Sequence, residues 1–420
     1  MSRPTARRLP VSRATARRLV ARRVGGALLA AALLTGLPAG CTADRRSVSP
    51  PTWRAVTLPV PAGSRAQVRD LAACPGHWYA VGATVAGDGT PSPAAWASPD
   101  GVRWRLLESR PVSAYGPRHV LSMAACAGDR LVAFGASAGG VHSNPRSGTW
   151  LAVGDGPLTE VPATFELFGG PDAVAVNRLA AGPGGFLIAG TRVDANRAAG
   201  AAVWSSPDGA AFRLDDADPA LMSGASGQTE ALDAAGLADG DWLVVGSVLP
   251  PGARLGARDP LGWTAGRDAH PWTAEAVAGT GDDEAMDRVV ATDRGALAVG
   301  VAGASFAGWR WQDGRWTAAG RFGTVGGQIP AAVAGLAEVR TGDGRAVVAA
   351  VGDGTRYRLF VGSADGARWR EQALPVRFAA GTGRTLSLAG QGGAILVAAD
   401  DGTGARLWRA DASGWRTASG

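Results

Sequence analysis

The side chains able to do chemistry are few in this 420-residue chain: three Cys, four His and three Tyr. His77, His119, His142 and His270 lack the short fixed intervals at which histidines hold a metal, so neither a metal site nor a cofactor is expected. No Gly-x-Ser-x-Gly elbow, phosphate loop or calcium loop occurs, and no residue is assigned a catalytic role. What the polar side chains do form is two loops richer in donors and acceptors than turn-making requires. Residues 113–119 hold Tyr115, Arg118 and His119; residues 139–149 hold His142, Asn144 and Arg146, with Glu166 a little further on. These groups suit a sugar or a peptide backbone and are the candidate ligand-binding set. Ordinary solvated loops have the same composition, so both readings stay open.

The elements that position these loops lie in a body with its own address. Eight of the 42 basic residues fall in residues 1–40, where there is no acid. The remainder holds 34 Arg against 36 acids, a balance that excludes nucleic acid as a partner. Arg-rich residues 1–23 are followed by an uncharged, mainly apolar run over 24–40 and then by Cys41, the layout of an export signal. Seventeen residues broken by Gly25, Gly26, Gly36 and Pro38 are short for a spanning helix. Leu37-Pro38-Ala39-Gly40-Cys41 resembles the lipobox of bacterial lipoproteins. That resemblance implies cleavage before Cys41, a lipid on its thiol, and a place on the outer face of the cell membrane. Arg17-Arg18 and Arg22-Arg23 leave both the general and the twin-arginine export routes open. Residues 41–52, polar and ending in Pro50-Pro51, read as a flexible tether.

The rest of the chain repeats every 40–55 residues or so, the period of propeller blades. The clearest unit is a short apolar stretch closing on Gly or Ala. It occurs seven times, from Trp78-Tyr79-Ala80-Val81-Gly82 to Ala394-Ile395-Leu396-Val397-Ala398. Near-continuous apolar strands suit positions covered on both faces, as in the middle of stacked blades. A second strand in each unit carries Trp96, Trp150, Trp204, Trp263, Trp309, Phe360 or Trp408. After it comes a recurring turn: Ser98-Pro99-Asp100-Gly101, Ser206-Pro207-Asp208-Gly209, Ser363-Ala364-Asp365-Gly366 and a shorter Gln312-Asp313-Gly314, each with an aromatic two or three residues beyond. Asp caps the turn's amides and Gly takes positive φ. These segments resemble the Asp-box repeats of sialidase-type propellers, and with the lipobox the chain resembles actinobacterial envelope lipoproteins built on such a propeller. A sialidase's chemistry would need an arginine triad and a Tyr nucleophile that are not recognisable here.

Cys74 and Cys126 occupy matching points of consecutive units, which allows either a disulfide between neighbouring blades or two small buried thiols. Trp53-Arg54-Ala55-Val56 looks like an outermost strand yet precedes the first unit, so it is a candidate to complete the last blade. Aligning first strands puts Asp70, Ser122, Arg178, Asp233 and Arg288 at one level, a possible ring on the channel wall. The sequence thus predicts an all-β chain: a lipoprotein signal peptide over 1–40, a tether over 41–52, and a seven-bladed propeller of four-stranded antiparallel blades over 53–420. Its expected role is a lipid-anchored, non-catalytic binding or scaffold module for envelope glycan or protein. The alternative is a glycan-active hydrolase of sialidase-like type using Glu166, Asp172 or the Tyr115/Arg118/His119 loop.

Overall fold

The computed structural model describes residues 51–139, 144–193, 197–254, 256–279, 282–327 and 329–416. The export segment, Cys41 and His142 lie outside the described residues.

Seven sheets built on antiparallel pairs follow one another, and in five of them the strands run from inner to outer in chain order. The first strands, from Arg65–Cys74 through Val120–Ala127, Ala173–Gly182, Gln228–Gly236, Glu284–Thr292 and Ala332–Thr341 to Thr385–Gln391, contact one another in sequence. The last also contacts the first, closing a ring. This is a seven-bladed β-propeller. Blade two departs from the four-stranded pattern: Ser109–Arg110 adds a short fifth strand, parallel to Leu158–Val161. The ring closes through Trp53–Val56, which pairs with Ala405–Asp411 and supplies the outer strand of the seventh blade. Trp53 packs edge-on to Trp415 at 6.0 Å and donates its indole N–H to the Ala373 carbonyl.

The apolar pattern follows from the stacking. Residues such as Ala80 and Val81, Leu131 to Ala133 and Val347 to Ala350 in the second strands have no exposed surface, because a neighbouring blade covers each face. In several blades the third-strand indole ties the blade to its incoming connection. Trp96, Trp204 and Trp263 donate to the carbonyls of Pro59, Leu167 and Ala220.

The Ser-x-Asp-Gly turns sit where blades meet. Ser98 Oγ accepts from the amide of Gly101, and Asp100 accepts from the amides of Val102 and Arg103. Gly101, Gly209 and Gly366 all take φ between +68° and +77° and press on side chains of the preceding blade, Leu396, Val132 and Leu297 respectively. Cys74 and Cys126 are joined as a disulfide between blades one and two, with Cα atoms 6.0 Å apart.

Candidate functional site

Six of the seven inner strands carry a register shift at the same level, which inserts one residue per strand. Side chains at or beside this bulge reach the next blade. Asp70 accepts from the amide of Ala124, Asp233 from Val289, Asp287 from Val333, and Asp400 of the last blade from Val68; the Asn177 amide donates to Ala231 O. Asp70, Arg178, Asp233 and Arg288 do share one level, and Arg178 reaches across blade two to Asp70 at 2.8 Å. The bulge corrects one expectation: Ser122 is the inserted residue, and Met123 stands at the level of Asp70. Burial raises the pKa of Asp233 against the pull of Arg288 and Arg178, and pushes Asp287 up to about 6. The channel carboxylates are therefore committed to backbone amides and, at Asp70, to Arg178, while Arg288 donates to the Asp287 carbonyl and keeps a buried Nε without a partner among the described residues.

The rim over blades two and three is different. Tyr115 precedes the single 3-10 turn Gly116–Arg118, which delivers His119 into the protein at 2% exposure. Trp150 is a donor only, and its N–H meets His119 Nδ1 at 3.2 Å, where blades one, three and four offer a backbone carbonyl. The neutral ring therefore carries its proton on Nε2. Burial lowers this histidine's pKa, against Glu160 and the Arg146 carbonyl, which favour the charged form. Glu160, 5% exposed on the strand Leu158–Val161, accepts from the amides of Val112 and Ser113 and from the Ser113 hydroxyl at 2.6 to 2.8 Å. Burial acts to raise its pKa, but these three donors win and hold it below the usual carboxylate range. The guanidinium of Arg146 lies 4.2 Å over the Phe165 ring and 5.5 Å from the centre of Tyr115.

Two adjoining cavities result, sharing Phe165 and Ser147. One, of about 360 Å³, is lined by Val112, Tyr115, His119, Arg146 and Glu160. The other, of about 310 Å³, is lined by Asn144, Phe134, Phe168, Thr191, Arg192 and Trp204. Residues with a buried atom that has no hydrogen-bond partner among the described residues line both: Arg146 (Nη1) and His119 (Nε2) the first, Thr191 (Oγ1) the second. Three of the five exposed large hydrophobic residues, Val112, Phe165 and Val174, stand on the same lining. Among the sequence candidates, Tyr115, His119, Asn144 and Arg146 line the cavities. Arg118 and Glu166 are exposed and line neither, and Asp172 is paired with Arg197 at 2.8 Å.

Sequence reasoning missed Glu160, Phe165 and Thr191. A signal for Glu160 exists in Leu158-Thr159-Glu160-Val161, whose alternation turns Glu160 inward with Leu158. It also missed a group joining blades three and four: Asp215, Asp218 and His270 bring ligand-type atoms within 4.8 Å of one another. Asp218 already accepts from the amides of Ala220 and Trp272, Asp215 accepts from or pairs with His270 at 3.0 Å, and Arg213 lies 3.8 Å from Asp215. The group reads as an inter-blade tie.

No family model matches the chain, and no curated protein matches it. Solved structures align with the chain at low identity. The BP39L lectin from Burkholderia pseudomallei aligns with a TM-score of 0.49 and 16% identity, over 82% of this chain and 97% of that one. The Hadza microbial sialidase Hz136 gives 0.46 and 11%, over 82% of this chain and 65% of its own. A Lactobacillus plantarum protein gives 0.44 and 12%, over 77% and 92%. The solved structures that align with the chain thus include lectins and a sialidase, all at low identity.

Proposed function

We propose that this chain is a lipoprotein held to the outer face of the cell membrane through Cys41, whose Asp-box propeller is a non-catalytic module binding envelope glycan or protein at the rim of blades two and three. One observation carries the reading. At this rim, two adjoining cavities combine exposed aromatic and aliphatic surface with lining residues whose buried donors have no partner among the described residues. A ligand supplies what is missing on both counts. A hydrolase reading needs a carboxylate free to move protons. Glu160, the acid lining the cavity, has three donors on it and a lowered pKa, which favours binding over hydrolysis.

The test uses the full chain expressed in a bacterium that lipidates exported proteins. Wild type should partition with membranes and bind isolated envelope material saturably. Cys41→Ser should leave the membrane fraction with binding intact, and Phe165→Ala should keep the membrane fraction and lose at least tenfold in affinity. Equal binding by wild type and Phe165→Ala refutes the site, and glycan turnover abolished by Glu166→Gln or Asp172→Asn refutes the non-catalytic reading.

A further inference from the structure

We infer that the ligand of the paired cavities carries a carboxylate, received by Arg146 Nη1 and the Nε2–H of His119, with an apolar body set against Phe165 and Val112. This rests on the binding reading above and specifies the ligand's chemistry. The Arg146 guanidinium carbon lies 4.2 Å from the centre of the Phe165 ring and 5.5 Å from that of Tyr115, contacts that satisfy none of its N–H groups, and Nη1 is buried with no acceptor among the described residues. A guanidinium keeps its charge at any physiological pH, so the missing partner cannot be avoided by losing a proton. Glu160 does not fill the role, because the amides of Val112 and Ser113 and the Ser113 hydroxyl already occupy it.

His119 adds a second donor. Trp150 holds Nδ1 as an acceptor, which leaves the proton on Nε2; the Arg146 carbonyl lies close enough to favour the charged ring, but no well-formed hydrogen bond engages Nε2 among the described residues. A neutral polyol could occupy both donors and would leave the charge on Arg146 unmatched. A carboxylate brings two acceptor oxygens and the opposite charge, and charge-assisted bonds of this kind are about twice as strong as neutral ones. The apolar part follows from the lining: Phe165 and Val112 are 38% and 60% exposed and frame the same cavity.

The probe is a charged and neutral pair of one shape, phenylacetate and phenylacetamide, with glucuronate and glucose as a sugar-borne pair and inorganic sulfate as an oxyanion without an apolar body. Binding to the full detergent-solubilised chain is read by calorimetry and by the fluorescence of the buried tryptophans. Phenylacetate should bind at least tenfold tighter than phenylacetamide and tighter than sulfate. Arg146→Gln should erase the preference, whereas Arg118→Gln, outside both cavities, should keep it. A preference shown instead by the glucuronate pair alone overturns the apolar body in favour of a sugar. Equal affinity for charged and neutral members overturns the inference while the envelope-binding reading survives. The comparison within wild type decides the matter even if Arg146→Gln fails to fold. No response to any probe, in a chain that still binds envelope material, also overturns it.

Discussion

Gly366 and Gly314 occupy the same turn in neighbouring blades and should respond differently to one added methyl group. Both have positive φ, +68° and +72°, so alanine at either position costs about 1–2 kcal/mol for its backbone conformation alone. At Gly314 a Cβ would meet nothing within 4 Å. At Gly366 it would lie 2.6 Å from Leu297 Cδ1 and 3.1 Å from Cδ2, about 1 Å inside contact distance. Leu297 is 1% exposed in the second strand of blade five and has no room to yield, so overpacking adds roughly 1–3 kcal/mol. With unfolding entropy of about 2.1 cal/mol/K per residue over roughly 370 residues, the extra penalty corresponds to about 1–4 °C in Tm. Differential scanning calorimetry of Gly314→Ala and Gly366→Ala should therefore show both destabilised and Gly366→Ala the lower of the two by that margin. Equal Tm values would refute the claim that the turn glycine is required by the blade interface and would leave backbone conformation as its whole reason.

Two further perturbations probe the ring. Asp287 is raised from 3.8 to about 6 by burial, so the folded state binds more protons than the unfolded one between these values and stability falls as pH rises through them. Asp287→Asn, which keeps an acceptor for Val333, should match wild type near pH 4 and exceed it by about 3 kcal/mol above pH 6 in urea titrations; a pH-independent difference would show that ionisation of Asp287 is not the cause. Replacing Cys74 and Cys126 together by Ser releases a loop spanning 52 positions and should cost about 4 kcal/mol on the chain-entropy model, with dithiothreitol lowering the wild-type Tm to that of the variant; a variant as stable as oxidised wild type would contradict it.

The propeller was legible because its constraints are local. A strand buried on both faces must be apolar throughout, as Leu243, Val244 and Val245 are, and a positive-φ turn at a blade contact must place Gly after Asp. The channel level was legible except at Ser122, because the level lies four residues before Cys74 in blade one and three before Cys126 in blade two, so matching the two cysteines lands one place off. The site was half legible. Polar richness pointed to Tyr115, His119, Asn144 and Arg146, but it pointed equally to Arg118 and Glu166, because composition does not say which way a turn faces. Glu160 and Trp150, which fix the state of His119, come from later strands of the blade and share with it only a spatial neighbourhood. Asp215 and His270 lie one blade apart in sequence, and superposing neighbouring units would have brought them together.

The channel and the rim differ in how far their polar groups are already used, and that difference places recognition. Asp70, Asp233, Asp287 and Asp400 each hold an amide of the next blade, so a ligand entering there would have to displace bonds that keep the ring together. Breaking a buried charged pair such as Arg178 with Asp70 costs several kcal/mol, roughly 3–5, before any ligand contact is made. At the rim the balance runs the other way. Arg146, His119 and Thr191 carry buried atoms with no partner, which cost the free protein stability and return it when a ligand arrives. Blade two can sustain this because its core is anchored independently, by the disulfide to blade one and by the added strand Ser109–Arg110 beneath the loop that carries Tyr115. The unmet groups of the rim, from blades two and three, thus adjoin the blade that carries the extra fixings, as expected where a scaffold supports a polar site kept open for a ligand.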